Sequence, residues 1–467
     1  MSYSIKSFFA MLLPKFFWKR YKFTILFGSS IVTMLWLLST LKNIASLKSG
    51  DVFSDPVPVQ RFFGSQFTKY NIRKPIPETW LQRTKCPACF GEDFCQAIKR
   101  EELVLTVDKM FVPEVANFAF GTYRNENVVV KRLGTNHYFD VYDQFICGNT
   151  TKVSEGCDVG DTAWRSYIGS QNAMLISELE TAYKFVGKPP GHLTNNLCLT
   201  PKLLKEMEHL YSRLRDSITV QERAVMYTSM LINYEAILGK YLTAKHSDKW
   251  KFPMYYGACG RIVIEEHGGI PLARYTAAPW KMRAALGLQL LRMIEDFVAK
   301  DAEWLIIYPD IRYPNFAVDK DGYVLAIDLD NVMIIDKKNV ENYIKNVEVP
   351  EYCNGDCFRS LAQGFQSDLS QRPQHCAKVS LLAKDLMYAM LCQKIFSDSS
   401  DHKGYHMFDN KKTSVRQERG LLHSPPEDTV YFQQLLNECV AQTGPDGRHE
   451  AVSQIKSFLE KFALTSN

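Results

Sequence analysis

Apolar and polar positions divide the chain into regions with different periods. Residues 23–41, "FTILFGSSIVTMLWLLSTL", hold 19 positions without a charge. At 1.5 Å per residue a helix of that length reaches about 28 Å, enough to cross a bilayer core. From 43 to 80 the period is lost and Pro56, Pro58, Pro75 and Pro77 punctuate the chain, which reads as a stem. Two apolar runs, "NFAFGTYR" (117–124) and "NVVVKRLG" (127–134), flank a short polar turn at "NE" and predict a hairpin. From 160 to 244 the spacing becomes helical. "LLKEMEHLYSRLRD" and "ERAVMYTSMLINYEAILGKYL" repeat apolar residues at i, i+3, i+4 and i+7. "FPMYYGACGRIVIEEHGG" (252–269) predicts two strands split by Gly257 and Gly260, and 280–300 another amphipathic helix. A strand pair follows at 308–330, then helices near 379–397 and 429–463 around a polar loop at 398–420.

Charge orients the first segment. Lys6, Lys15, Lys19, Arg20 and Lys22 precede it, and only Lys42 and Lys48 follow within ten residues. The positive-inside rule then predicts a cytosolic tail (1–22), a transmembrane signal anchor (23–41), a stem (42–80) and everything after it across the membrane. A cleaved signal peptide is the rival reading, with Ala45 and Ser46 as weak cleavage candidates. The chain as a whole has an ordinary globular composition, 46% hydrophobic and 23% charged, and the net charge of +5 gives no footprint for nucleic acid.

The 12 cysteines all lie after the apolar segment, and several are close together: Cys86, Cys89 and Cys95; Cys147 and Cys157; Cys353 and Cys357. In an oxidising lumen they read as disulfides, with the pairing left open. A redox motif at "CPAC" (86–89) would need a βαβ context, and a zinc site a second tight Cys or His pair; neither is visible. The sequon at Asn149 is an expected glycosylation site in a luminal region.

The chemistry concentrates in "YPDIRYPNFAVDKDGYVLAIDLD" (308–330). Phosphoryl transfer needs metal-bound phosphates and an acceptor hydroxyl held near a base. D-x-x-x-x-N followed by a hairpin and a second Asp supplies that set: Asp310 as base, Asn315 and Asp328 as ligands for Mg or Mn. The bland alternative is a surface hairpin with a type I′ Asp321-Gly322 turn. A calcium loop starting at "DKDG" lacks ligands further on. Upstream, "VVVK" places Lys131 at the end of an apolar strand, and Glu235 stands on a helix that runs into the next strand. Their pairing would set Lys131 toward the phosphates of ATP. A hinge near Glu265, Glu266 and His267 would meet adenine. Asp385 is a candidate brace for the catalytic loop.

The segments "KCPACFG" (85–91), "VVVKRLG" (128–134), "YYGACGRIV" (255–263), "APWKMR" (278–283), "NFAVDKDGYVLAIDLDNVMIIDKK" (315–338) and "GLLHSPP" (420–426) resemble the divergent protein kinase domain family, in the branch of the deleted-in-autism protein. The resemblance spans about 81–465. It implies an α+β, two-lobed kinase-like fold with a helical, cysteine-containing insert in the N-lobe: N-lobe 81–270, C-lobe 271–467. It also implies Golgi or ER residence as a type II membrane protein, with a secreted form after cleavage. Two functions are expected: a luminal kinase acting with ATP on a secretory-pathway protein or glycan, or a kinase-shaped binding or paracrine factor that transfers nothing. Retention of Lys131, Glu235, Asp310, Asn315 and Asp328 favours the first, and the missing glycine loop favours the second; the chain departs from the ordinary kinase pattern at several points. No G-x-G-x-x-G precedes Lys131, Tyr308-Pro309 replaces His-Arg, Asp328-Leu329-Asp330 replaces D-F-G, and no A-P-E follows.

Overall fold

The computed structural model describes residues 72–108, 111–148, 156–169, 197–212, 217–345, 347–350, 353–364, 371–398, 419–443 and 447–463. The expected tail and anchor, the stem up to residue 71, and the Asn149 sequon lie outside these. Among the described residues no helix is long and apolar enough to cross a membrane.

The stem ends earlier than residue 80. Ile72–Lys74 (β1) pairs with Leu103–Val107 (β2), and Trp80, on the short helix Glu78–Leu81 (α1), is buried. β3 (Phe118–Tyr123), β4 (Glu126–Arg132), β5 (Tyr255–Cys259) and β6 (Ile262–Glu266) complete an antiparallel sheet of order β1-β2-β3-β4-β6-β5. Alternation sorts its faces. Val128, Val130, Ile262 and Ile264 pack on one side with Leu105 and Trp80; Leu133 and Val263 pack on the other. The β3–β4 turn sits one residue before the expected position. Arg124 and Asn125 both take positive φ (49° and 71°) and make the two-residue turn, a type I′ geometry formed here without glycine.

The two most specific motifs turn out to be one contact. Phe90 N–H donates to Gly260 O and Gly260 N–H to Gly91 O, both at 2.8 Å. Gly260 has φ +60°, and a Cβ there would stand 1.7 Å from the Leu81 carbonyl oxygen. Buried Arg261 donates from Nε to Ala88 O (3.0 Å) and from Nη1 to Gln82 Oε1 (3.1 Å), and grips Asp143 with both Nη atoms. Disulfides Cys86–Cys89 and Cys95–Cys259 lie in the same region.

The insert between β4 and β5 holds α3 (Asn136–Cys147), α4 (Val159–Gly169), α5 (Pro201–Tyr211), α6 (Val220–Ile232) and α7 (Glu235–His246). Thr200 and Thr219 cap α5 and α6, the latter through a full capping box with Glu222. The single helical run expected over 222–242 breaks at Asn233 (φ −163°, ψ 118°). The Asn233 side chain takes over both backbone duties: Oδ1 accepts from Glu235 N–H at 2.9 Å, and Nδ2 donates to Leu133 O at 3.3 Å. Both helices are apolar nearly all round, so periodicity gave no sign of the break. The insert, assigned to the N-lobe from sequence, shares its core with the C-terminal part. Leu203, Met207, Tyr227 and Ile237 belong to one cluster with Leu286, Ile306 and Leu386, and Cys198–Cys376 ties the two covalently.

The C-terminal part is built on α8 (Trp280–Ala299). β8 (Trp304–Ile307) pairs with β11 (Met333–Asp336), and β9 (Phe316–Val318) lies between β10 (Val324–Ala326) and β7 (Ile270–Pro271). The β9–β10 connection is a five-residue loop rather than the expected type I′ turn. Asp319 Oδ1 accepts from Asp321 and Tyr323 N–H at 2.9 and 2.8 Å, and only Gly322 takes positive φ. After α9 (Lys337–Ile344), α10 (Gly355–Gly364) and α11 (Arg372–Leu381) come α12 (Ala383–Leu391), α13 (Thr429–Ala441) and α14 (Gly447–Ala463). "APWKMR" and "GLLHSPP" are again partners: Arg283 donates to Leu421 O and His423 O, both at 2.8 Å. Asp385 binds Arg448 (3.1 Å) and His449 (3.2 Å), so it braces α12 against α14 and not the catalytic loop.

The tight Gly260 turn generates a stability prediction. Gly260→Ala drives a methyl into the Leu81 carbonyl and strains the backbone, so it should cost at least about 3 kcal/mol. A thermal melt within a few degrees of wild type would show that the contact yields easily.

Candidate active site

Lys131 faces away from the Val128/Val130 side of the sheet because strand side chains alternate. It points into a cleft of about 1000 Å³ that Phe120, Val129, His267, Asn315 and Asp328 also line. Three protein oxygens stand 2.7 Å from its Nζ: Glu235 Oε1, Glu265 Oε2 and the Ile327 carbonyl. Glu235 reaches it from the first turn of α7, where the positive helix end favours a carboxylate. Glu265 reaches it by register. Val129 pairs with Glu265 and Lys131 with Val263, so Glu265 and Lys131 are diagonal neighbours on one face. Burial alone would strip the proton from Lys131, but Glu235, Glu265 and Asp328 outweigh it and hold the ammonium well above the ordinary lysine value. Glu235 is pushed up by burial, against the pull of Lys131, with Asp328 and Glu265 adding to the rise.

The acidic half lies at the other end of the cleft. Asp310 and Asn315 come from the loop after β8, Asp328 and Asp330 from the loop after β10. One carboxylate oxygen each of Asp310, Asp328 and Asp330 lie within 4.8 Å of one another. Buried Asn315 donates from Nδ2 to Asp310 Oδ2 and to its backbone oxygen, both at 2.9 Å. Its own side-chain oxygen is therefore the atom left for a cation. Arg312 Nη2 lies 2.8 Å from Asp310 Oδ2. Burial raises Asp310, Arg312 and Asn315 oppose the rise, and Asp328 adds to it. Asp330 is pushed to about 7, first by burial, then by Asp328 and Asp310. Clustered carboxylate and amide oxygens are the donor set that hard divalent ions take.

The hinge follows β6. His267 Nδ1 accepts from Gly269 N–H at 3.1 Å, and its ring lies 5.0 Å from that of Phe120. Burial lowers its pKa, so the imidazole is neutral. Gly269, at φ +100°, packs where a Cβ would meet Val318 O at 1.9 Å. The sequence that joins β2 to β3, residues 108–117, has no glycine. Trp80 Nε1 donates to Pro113 O at 2.8 Å, and Phe111 packs edge-on to Trp80.

The structure thus brings Lys131, Glu235, Asn315 and Asp328 into one cleft, with Asp310 hydrogen-bonded to Asn315 and close to Asp328. Glu265 is placed on Lys131 through its side chain, where the sequence reading used its backbone. Two residues were missed. Asp330 was legible as the second carboxylate of "DLD", and Arg312 as the cation two places after Asp310.

The family model described as the protein-kinase domain of FAM69 matches residues 227–442, beginning after Lys131 and including Glu235, Asp310, Asn315 and Asp328. Divergent protein kinase domain 2A of Homo sapiens is 28% identical over 411 residues, covering 82% of this chain and 88% of that protein. The chain is similar to the divergent protein kinase domain family over most of its length. Its relatives include the Xenopus tropicalis 2A protein (27% over 407 residues, 82% of this chain and 88% of that one). Human divergent protein kinase domain 2B is 23% identical over 447 residues (92% and 91%). The α+β fold of this divergent kinase domain is kinase-like, and its cysteines form six disulfides with none left free among the described residues.

The raised Asp330 has a consequence for stability, whose sign follows from linkage. An unfolded Asp titrates near 4, whereas the folded one titrates near 7. Below both values the residue is protonated in either state and contributes nothing. Between them the folded protein holds a proton that the unfolded chain has lost, so stability falls as pH rises, and above 7 the penalty is complete. In metal-free protein, Asp330→Asn should therefore raise the melting temperature at pH 8 and leave it unchanged at pH 4. Equal effects at both pH values would remove the electrostatic cause.

Proposed function

We propose that this divergent kinase is a luminal phosphotransferase that moves the γ-phosphate of ATP to a hydroxyl group on a secretory-pathway protein or glycan. One observation carries the reading: a single cleft is lined by the Lys131–Glu235 pair and by Asn315, Asp328 and Asp330, with Asp310 hydrogen-bonded to Asn315 and grouped with the two aspartates. Asn315, Asp328 and Asp330 would hold Mg²⁺ or Mn²⁺, whose charge offsets that of the phosphates. Asp310 would orient the acceptor hydroxyl and take its proton as the acceptor oxygen bonds to the γ-phosphorus and the bond to ADP breaks. Arg312, beside Asp310, would offset charge on the transferred group. His267 and Glu266 lie where the base would meet the hinge.

The second reading, a kinase-shaped binding or paracrine factor, draws on a different observation. The sequence before Lys131 has no glycine between residues 108 and 117, so N–H groups from it would approach phosphates less freely than a glycine loop would. Direct measurement separates the two. Purified full-length protein should bind Mn-ATP and label a secretory-pathway extract with phosphate from ATP, and Asp328→Ala should lower labelling by at least about 100-fold, the scale of a removed electrostatic stabiliser. Wild type and Asp328→Ala giving the same signal would leave only the binding-factor reading.

The location belongs to the same proposal: a type II protein of the Golgi or ER membrane, anchored by 23–41, with a cleaved secreted form. In cells, Asn149→Gln should remove a glycosidase-sensitive mobility shift. Absence of that shift in wild type, with the domain open to protease in intact microsomes, would place it on the cytosolic side.

A further inference from the structure

An ammonium has three N–H donors and no acceptor. At Lys131 two donors go to Glu235 Oε1 and Ile327 O at 2.7 Å, and Glu265 Oε2 sits against the ammonium in an ion pair at the same distance. A phosphate that reaches Lys131 must displace one of them. Ile327 O is main chain, and the Ile327 N–H is tied to Asn315 O at 2.9 Å, so moving it would disturb the loop that carries Asn315. Glu235 begins α7, a helix buried along most of its length. Glu265 differs from both. Its Oε1 is buried without a hydrogen-bond partner, beside Gly239. Lys131 also has anions to spare. Glu235 and Asp328 already act on it, so losing Glu265 would leave the lysine paired.

We propose that Glu265 is an internal competitor of nucleotide phosphates for Lys131. The carboxylate occupies the donor that a phosphate would use, and it must withdraw before a polyphosphate engages the lysine. Glu265 thereby sets the affinity of the cleft for anionic nucleotides. This rests on the nucleotide-cleft reading above and adds a sign to it: removing this carboxylate strengthens nucleotide binding, whereas removing an ordinary contact weakens it.

Calorimetric titration of full-length protein with Mn-ATP and with adenosine tests the inference. Glu265→Gln keeps the shape and loses the charge; Glu265→Met keeps the bulk and loses both oxygens. Melting curves establish that each variant is folded. Both should bind Mn-ATP roughly tenfold or more tightly than wild type, the scale of one charged hydrogen bond, with adenosine binding unchanged because adenosine carries no phosphate. Tighter Mn-ATP binding in the variants when wild type shows none also supports the competitor. If wild type binds Mn-ATP and the folded variants bind it no more tightly, or gain equally for adenosine, the competitor role is overturned and the nucleotide reading stands. If neither wild type nor variants bind, both are overturned.

Discussion

One buried ammonium organises the cleft. Lys131 ends β4, yet its partners come from α7, 104 positions later, from β6, and from the Ile327 carbonyl, 196 positions later. An unpaired ammonium at this depth would lose its proton rather than stay charged. The carboxylates keep it charged, and each must arrive from a different element. The pairing therefore demands that the sheet, the insert and the β10 end of the C-terminal part meet at one point. Removing Lys131 would leave Glu235 and Glu265 as adjacent buried acids without a counter-ion, the costly half of a broken buried pair.

The residues that make the sequence recognisable do little of this chemistry. "CPACFG" and "GACGR" are held together by the Gly91–Gly260 bridge and by Arg261, whose guanidinium is wholly buried. "APWKMR" and "GLLHSPP" are joined by Arg283 in the same manner. A buried arginine that satisfies several carbonyls fixes both its own identity and the backbone path opposite, since any replacement leaves acceptors unpaired. Two such arginines explain why these motifs occur in pairs. Their task is to set β5–β6, from which the hinge extends, and α8, which leads into β8 and the loop of Asp310 and Asn315.

Much of the site was legible because kinase chemistry imposes local spacing. The four positions between Asp310 and Asn315, the hairpin before Asp328, and Lys131 ending an apolar strand are short-range signals. Glu235 was legible by its order on a helix, but its place in the first turn of α7 was not, because the break at Asn233 lies between two helices buried on all sides. The side-chain role of Glu265 depends on register against Val129, a pairing 136 residues apart in sequence that no local pattern encodes. Asp330 needed the folded loop to bring it beside Asp310. The Cys198–Cys376 link crosses 178 positions and joins the insert to α11, so the boundary drawn from chain order put those helices with the wrong core.

That shared core limits how the cleft can be controlled. Kinase activity is commonly governed by swinging the helix that carries the lysine's partner. Here that helix, α7, buries Ala236, Ile237, Leu238, Tyr241 and Leu242, and its neighbours α5 and α6 pack into the core of the C-terminal part. At about 1.5–3 kcal/mol for each large apolar side chain exposed, swinging α7 outward would cost on the order of 10 kcal/mol, comparable with the stability of a whole domain. Glu235 is therefore a permanent partner of Lys131. Control of the cleft falls to what moves cheaply: a side chain with an unpartnered oxygen such as Glu265, and the charge balance of three carboxylates. Electrostatic occupancy, rather than helix position, is the variable this fold leaves free.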